Sequence, residues 1–339
     1  MDLDNVSPAI YDALFDYIVS KDGKKLFKKA LEDGDRSLFS LLPKSDLHIH
    51  SSRGCSRKVL EGIFWKKFPD VPRFKSLEEM NKWYDETIDE YAKGQFGHEV
   101  RVRSMIKGFD NNSVVVASPI FCLRMKKYFD DSIYNYFHRL NADFELFAPN
   151  TKIYPEFEVC RGENPDKVLR DLEEVEKFNF YKSIDIRGDE NLGVKQYSDV
   201  YKKAHDMGLV LKAHVGEFGD VSKIDEALEY LGLDCITHGN SLVESNDLMN
   251  YVRDNEIMVN CCPSSNYYLS RIDDYKNHPI RKFVEKGIIC SINTDDELIF
   301  NQSINDEYFN LYNSGCLGAN ELYEVNQNGI NKCLSKRRK

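Results

Sequence analysis

The amino-acid sequence predicts an α/β protein built as a closed (β/α)8 barrel, with extra helices at the N-terminus and after the first strand. Two observations carry this expectation. Eight short apolar runs rich in β-branched residues, at 45–50, 114–118, 153–160, 183–187, 209–214, 234–238, 257–262 and 288–293, alternate with stretches of helical period. Such alternation implies parallel strands joined by crossover helices, and eight units in 339 residues fit a closed barrel better than an open sheet. In addition, ligand-type side chains gather at the carboxyl ends of these runs, the end at which barrels of this kind build their sites.

Taken in order, residues 7–41 read as helical, with Ile10, Leu14, Tyr17 and Ile18 at helical spacing. After the first strand, 55–112 is too long for a single crossover and reads as a helical insertion; within it, 101–110 fits either a helix or a ninth short strand. The aromatic-rich stretch 64–91, with Trp65, Trp83 and Tyr84, reads either as core or as a lid over the barrel mouth. Later crossovers are expected as helices at 166–177, 196–207, 223–230, 244–253 and 279–286, and Gly208 and Gly287 suit left-handed C-caps. No repeat, low-complexity tract or linker divides the chain. Residues 1–339 therefore read as one hydrolase domain, with 1–42 as its N-terminal extension and 55–112 as its insertion.

Composition excludes several partners. The chain carries 46 basic against 56 acidic side chains, a net charge of −10, which argues against nucleic acid or anionic lipid, since both need a basic face. The basic cluster from Lys336 to Lys339 reads as a solvated end. The first twenty residues, acidic and broken by Asp12 and Asp16, lack the pattern of a signal peptide, and no apolar run approaches the roughly 18 residues of a membrane span. Nine scattered cysteines without a C-x-x-C pair read as reduced thiols in a cytoplasmic protein.

The candidate site residues follow from strand geometry. Alternate residues on a strand point the same way, so His48 and His50 are expected on one face, with Leu47 and Ile49 on the other. His214, with Glu217 beyond it, ends the fifth strand; His238 ends the sixth; Asp295 and Asp296 follow the eighth. Each alone has a plain alternative, a core histidine bonded to a backbone carbonyl or an Asp pair capping a helix. Together on one rim they read as a metal site: three imidazoles and a carboxylate leave one position for a water, whose pKa such an ion lowers from 15.7 to about 7. Glu217 and His238 then stand where proton transfers are needed. No G-x-G-x-x-G after a strand, no P-loop and no G-x-S-x-G elbow is present, so no nucleotide redox cofactor is expected.

Six segments resemble the motifs of the adenosine/AMP deaminase family, in the family's order and across most of the chain: Pro43-Lys-Ser-Asp-Leu-His-Ile-His50, Asp185-Ile-Arg-Gly-Asp-Glu190, His214-Val-Gly-Glu217, Thr237-His-Gly239, Cys262-Pro-Ser-Ser-Asn266 and Ser291-Ile-Asn-Thr-Asp-Asp296. The resemblance implies a metal-dependent amidohydrolase barrel acting on a small purine, with one Zn2+ per chain, or another divalent transition metal, on His48, His50, His214 and Asp295. It further implies that Glu217 shares a proton with purine N1, that His238 orients and deprotonates the zinc water, that Asp296 meets N7, and that the Gly188 N–H meets N3. The unrelated cytidine-deaminase type of zinc site, with H-x-E and P-C-x-x-C, is absent. One departure concerns substrate. Family members that act on adenosine follow H-x-H with Leu-Asp-Gly, whereas His50 is followed here by Ser51-Ser52-Arg53-Gly54. Ser52 and Arg53, with Arg57 nearby, are thus expected at the sugar end, where positive charge suits a phosphate. Adenosine is the first expectation, with adenine, an N6-modified adenosine or AMP as alternatives. A multinuclear phosphoesterase of the PHP type and a non-catalytic binding module are the readings from other classes.

Overall fold

The structure, a computed structural model, describes residues 8–334 and 336. Its sheet comprises β1 (Lys44–His50), β2 (Val114–Phe121), β3 (Lys152–Ile153), β4 (Glu156–Cys160), β5 (Ser183–Arg187), β6 (Val210–Val215), β7 (Cys235–His238), β8 (Met258–Cys261) and β9 (Cys290–Ile292). Eight of these form one path, β1-β2-β4-β5-β6-β7-β8-β9, with β3 paired to the side of β2, and every pairing is parallel. The path nearly closes on itself. Ile49 bridges Asp295 in parallel, the His50 N–H donates to the Asp295 carbonyl at 3.0 Å, and the Asp295 N–H donates to the His48 carbonyl at 3.0 Å.

The C-terminal helix Ala319–Lys332 packs on β1 and β9 and so covers this seam. Asn326 donates to the Pro43 carbonyl at 2.8 Å. At Gly329 a Cβ would fall 2.0 Å from Ser45 Oγ, so only glycine admits the helix this close to the strand. Phe27, from the N-terminal helix Pro8–Glu32, packs edge-on against Tyr323 and Tyr308, with ring centroids 5.5 and 5.7 Å away.

Strand periodicity sorts the side chains. Ile184, Ile186, Leu211, Ala213, Ile236 and Val259 join the apolar core shared with the crossover helices, while the residues alternating with them, such as Asp185, Lys212, His214, Thr237 and Asn260, are buried and polar. Midway up the barrel the Lys212 ammonium donates to Glu156 at 2.6 Å and to the Leu47 carbonyl at 2.8 Å.

Departures from the sequence reading have local causes. Pro155 has no N–H for the ladder, and the run 153–160 divides into β3 and β4. The second strand runs on to Phe121, and the last is shortened to Cys290–Ile292. The stretch 101–110 belongs to the helix Gly94–Asn111. Helix 7–41 is interrupted at Gly34, with φ of 68°, and resumes as Arg36–Ser40 under an Asp35 cap. The side chains of Ile10, Leu14, Tyr17 and Ile18, and residues 337–339 of the basic end, lie outside what is described. Gly208 and Gly287 take the left-handed conformation expected of them, with φ of 81° and 77°. Strict alternation fails on β1: its register with β2 shifts between Asp46 and Ile49. Leu47 therefore packs with Val116, Cys235 and Met258, apart from Ile49 in the main core. Among the described residues no helix is long and apolar enough to cross a membrane.

The Lys212–Glu156 pair yields a stability prediction. Lys212→Met strands a buried carboxylate and lowers the unfolding free energy in urea by about 3–5 kcal/mol, whereas combining it with Glu156→Gln loses clearly less. Equal losses in the single and double variants would show that charge pairing is not what the barrel interior requires.

Candidate active site

A cavity of ≈ 1010 Å³ opens at the carboxyl ends of the strands, lined among others by His50, Ser52, Arg53, Arg187, Gly188, His214, Glu217, His238, Asp295 and Asp296. Every candidate from the sequence except His48 and Arg57 is on this wall. His48 lies just beneath it, fully buried. Ligand atoms of His48, His214, His238 and Asp295 all lie within 4.8 Å of one another, and those of His50, Asp295 and Asp296 form a second such group. Asp295 joins the two groups: its Oδ1 is 3.3 Å from His48 Nε2 and 3.2 Å from His50 Nε2. Of the four expected ligands, His48, His214 and Asp295 thus gather with His238, while His50 approaches through Asp295.

Backbone geometry presents these groups. His238 and Asp295 both adopt left-handed conformations, with φ of 68° and 60°, a cost that side chains with a Cβ bear mainly where surrounding structure enforces it. Glu217 is held by its neighbours: the Glu190 carboxylate accepts from the backbone N–H groups of Gly216, Glu217 and Phe218 at 2.6, 2.9 and 2.8 Å. Gly216 has φ of 69°, and a Cβ there would meet Ile224 and Ser241 at 2.6 and 2.7 Å. Gly188, with φ of 109°, reaches the cavity in a conformation that favours glycine.

The electrostatics suit a cation. Burial pushes His48 and His238 down to about 3 and His214 well below its ordinary value, leaving neutral imidazoles with free lone pairs. His50 moves the other way, because the carboxylates of Asp296 and Asp295 outweigh its burial. Burial opposes ionisation of Asp295, yet the imidazoles of His48 and His50 hold it well below the usual carboxylate range. Neither ring nitrogen of His48 makes a hydrogen bond among the described residues. A buried imidazole left so is costly unless something else engages it. A set of neutral imidazoles and one ionised carboxylate is the donor chemistry of a divalent zinc-type ion, so the residues present fit the metal. Glu217 contrasts with Asp295: burial first, then the charges of Asp295 and Glu190, push its carboxyl well above the usual range.

Asp185 ties the wall together: it lies 3.0 Å from His214 Nδ1 and accepts from Thr237 at 3.1 Å, which leaves the other His214 nitrogen free. The sequence reading quoted Asp185 and Glu190 within a motif but gave them no part of their own. An acid alternating with isoleucines in Ser183-Ile-Asp-Ile-Arg187 was the available signal. Asn266, behind His238, closes the Cys262–Asn266 motif, whereas His278 beyond it gave no signal other than its residue type.

Arg53 and Arg57 diverge. Arg53 lines the cavity, 3.4 Å from Asp296 Oδ2, donating to Asn81 at 2.8 Å and lying over the Tyr84 ring. Arg57 is buried and spends its guanidinium on the carbonyls of Pro69, Leu298 and Ile299, which corrects the expectation of a phosphate contact there. The helix Leu77–Tyr84 borders the cavity through Leu77, Glu78, Met80, Asn81 and Lys82. Of the aromatics in the stretch 64–91, Trp83 lies against Phe74 and Tyr84 is buried, while Trp65, earlier in the insertion, is 95% exposed.

Comparison with known proteins agrees with this geometry. The sequence profile of the adenosine deaminase family matches residues 159–339. A putative adenosine/adenine deaminase of Treponema pallidum is 23% identical over 281 residues, 81% of this chain and 93% of that protein. An adenosine deaminase of Clostridium acetobutylicum is 32% identical over 170 residues, 49% of this chain and 51% of that protein. Among solved structures, an adenine deaminase from Arthrobacter aurescens superposes with a TM-score of 0.72 at 19% identity, covering 85% of this chain and 92% of that one. An Arabidopsis N6-mAMP deaminase superposes with a TM-score of 0.74 at 17% identity, covering 88% and 96%. With more than half of its length matched by the family profile, a barrel of parallel strands and imidazoles converging with a carboxylate at its mouth, the chain belongs to the adenosine deaminase family of hydrolases.

Proposed function

We propose that this chain deaminates adenosine hydrolytically, converting adenosine and water to inosine and ammonia, with one zinc ion held by His48, His50, His214 and Asp295. The observation that carries the reading is the gathering of His48 and His214 with Asp295, and of His50 through Asp295, beside a cavity that also exposes Glu217, whose carboxyl burial holds well above its usual range. When bound, the ion supplies a Lewis acid that makes water a nucleophile at neutral pH. The chain's own groups do the rest. Glu217 keeps a proton available for purine N1, and protonation there makes C6 electrophilic. Asp296, whose Oδ1 has no hydrogen-bond partner among the described residues, meets N7. The Gly188 N–H meets N3. His238, its Nε2 3.7 Å from Glu217 Oε2 and gathered with His48, His214 and Asp295, would contact the attacking water.

Substrate charge is argued from the lining. Eight carboxyl side chains border the cavity against the cations Arg53, Lys82 and Arg187. A divalent ion and a protonated Glu217 leave that balance negative, which favours an uncharged nucleoside over a nucleotide. Arg53, already engaged by Asp296, Asn81 and Tyr84, adds little free charge for a phosphate, so Ser52 and Arg53 border the ribose. At ≈ 1010 Å³ the cavity sits at the top of the usual range of roughly 300–1,000 Å³, roomier than a free base requires. The nine cysteines, all unpaired, support a reducing, cytoplasmic setting.

Hydrolysis at C6 followed by the ultraviolet change of the purine ring, with ammonia leaving from adenine, adenosine and AMP and methylamine from N6-methyladenosine, is expected to give adenosine the highest kcat/KM; a preference for AMP would overturn the charge argument. Glu217→Gln is expected to lower kcat by about 10²–10⁴-fold with zinc retained, and undiminished turnover would remove Glu217 from the chemistry. Metal analysis of the purified protein should find one zinc per chain, lost together with activity in His214→Ala. Two or three metals per chain with phosphoesterase turnover would favour the multinuclear alternative.

A further inference from the structure

Behind His238 runs a chain of fully buried polar side chains, Asn266 and His278, that no step above employs. Its fixed point is a backbone donor. The Ile280 N–H donates to His278 Nδ1 at 3.0 Å, so that nitrogen is bare and the hydrogen of the neutral ring sits on Nε2. Burial lowers His278 to about 3, which keeps the ring neutral. His278 Nε2 lies 3.0 Å from Asn266 Oδ1, and the oxygen accepts. Asn266 therefore turns its amide nitrogen to His238 Nδ1, at 3.4 Å. An amide nitrogen offers only hydrogens, so His238 Nδ1 is bare as well. Reversing Asn266 would set its N–H groups against the His278 N–H in a site that water does not reach.

We infer that the chain Ile280–His278–Asn266 locks His238 in the tautomer with its hydrogen on Nε2, so that the ring meets the reacting oxygen as a hydrogen-bond donor. Asn266 and His278 are then positioning residues for the reaction. A donor aimed at the attacking oxygen favours its hydroxide form, the water proton having passed to solvent beforehand, and holds the oxygen in place to add to C6 while the charge it gives up is met at N1 by the Glu217 proton. This differs from the proton-abstracting part that family resemblance implies for His238, since the cavity-facing nitrogen has no lone pair while the lock holds. The inference rests on the aminopurine reading above.

The test reads the ring directly. In zinc-loaded protein labelled with 15N-histidine, and with residue 238 assigned by its loss in His238→Gln, Nε2 is expected to show the shift of a nitrogen bearing hydrogen and Nδ1 that of a bare one. Asn266→Asp replaces the donor by a group that only accepts and draws the hydrogen to Nδ1. The two shifts are expected to exchange, and kcat to fall on the order of 10²-fold with KM within about 3-fold. Hydrogen on Nδ1 in the wild type overturns the lock, as does Asn266→Asp that exchanges the shifts and leaves kcat unchanged. The wild-type spectrum decides the point even where Asn266→Asp fails to fold. The expected shifts in a protein with no aminopurine deaminase activity would support the lock and reject the reaction.

Discussion

The site depends on closure of the sheet between β1 and β9. Two backbone hydrogen bonds, each 3.0 Å long, join residues 48 and 50 to residue 295, and through them the imidazoles of the first strand reach the carboxylate that follows the last. Nothing local holds these groups together. The C-terminal helix secures the seam from outside, and its approach depends on the absence of a side chain at Gly329. The stability of that packing and the geometry of the site are therefore one problem: opening the seam separates His48 and His50 from Asp295.

Within the closed barrel, polarity is layered. An apolar layer of Leu47, Val116, Cys235 and Met258 gathers toward the amino ends of the strands. Above it, Lys212 and Glu156 neutralise one another, and above these Asp185 engages His214 and Thr237. Buried charges are tolerable only when they are paired or hydrogen-bonded, and in this stack Lys212 pairs with Glu156 Oε1 while both Asp185 oxygens are engaged. At the rim His48 has no hydrogen bond on either nitrogen, and Asp296 Oδ1 has none. These two unmet groups lie at the cavity, as expected where a cation and a substrate complete the network. The left-handed backbone at His238 and Asp295 falls at the same rim, where strain is held by the two flanking strands.

Much of this was legible in the chain. Repeated alternation of β-branched runs and helical periods is sufficient for a parallel barrel, and the motif residues His48, His50, His214, Glu217, His238, Asp295 and Asp296 stand where strand ends were expected. What could not be read was pairwise. The shift in β1 that parts Leu47 from Ile49 arises from pairing with β2. Arg57 and Arg53 are four residues apart and similar in composition of surroundings, yet one is consumed by backbone carbonyls and the other borders the cavity.

Local composition thus determined the strands, the helices, the order in which ligand-type residues reach the rim and the acidity of the chain, because these follow from side-chain period and charge count. Tertiary structure alone decided which of those residues share an atom-scale neighbourhood, which nitrogen of His238 carries its hydrogen, and how the charges around the cavity balance. These quantities depend on distances between groups up to 248 residues apart, such as Asp46 and Thr294, and on burial that only the closed sheet creates. A period along the chain carries neither.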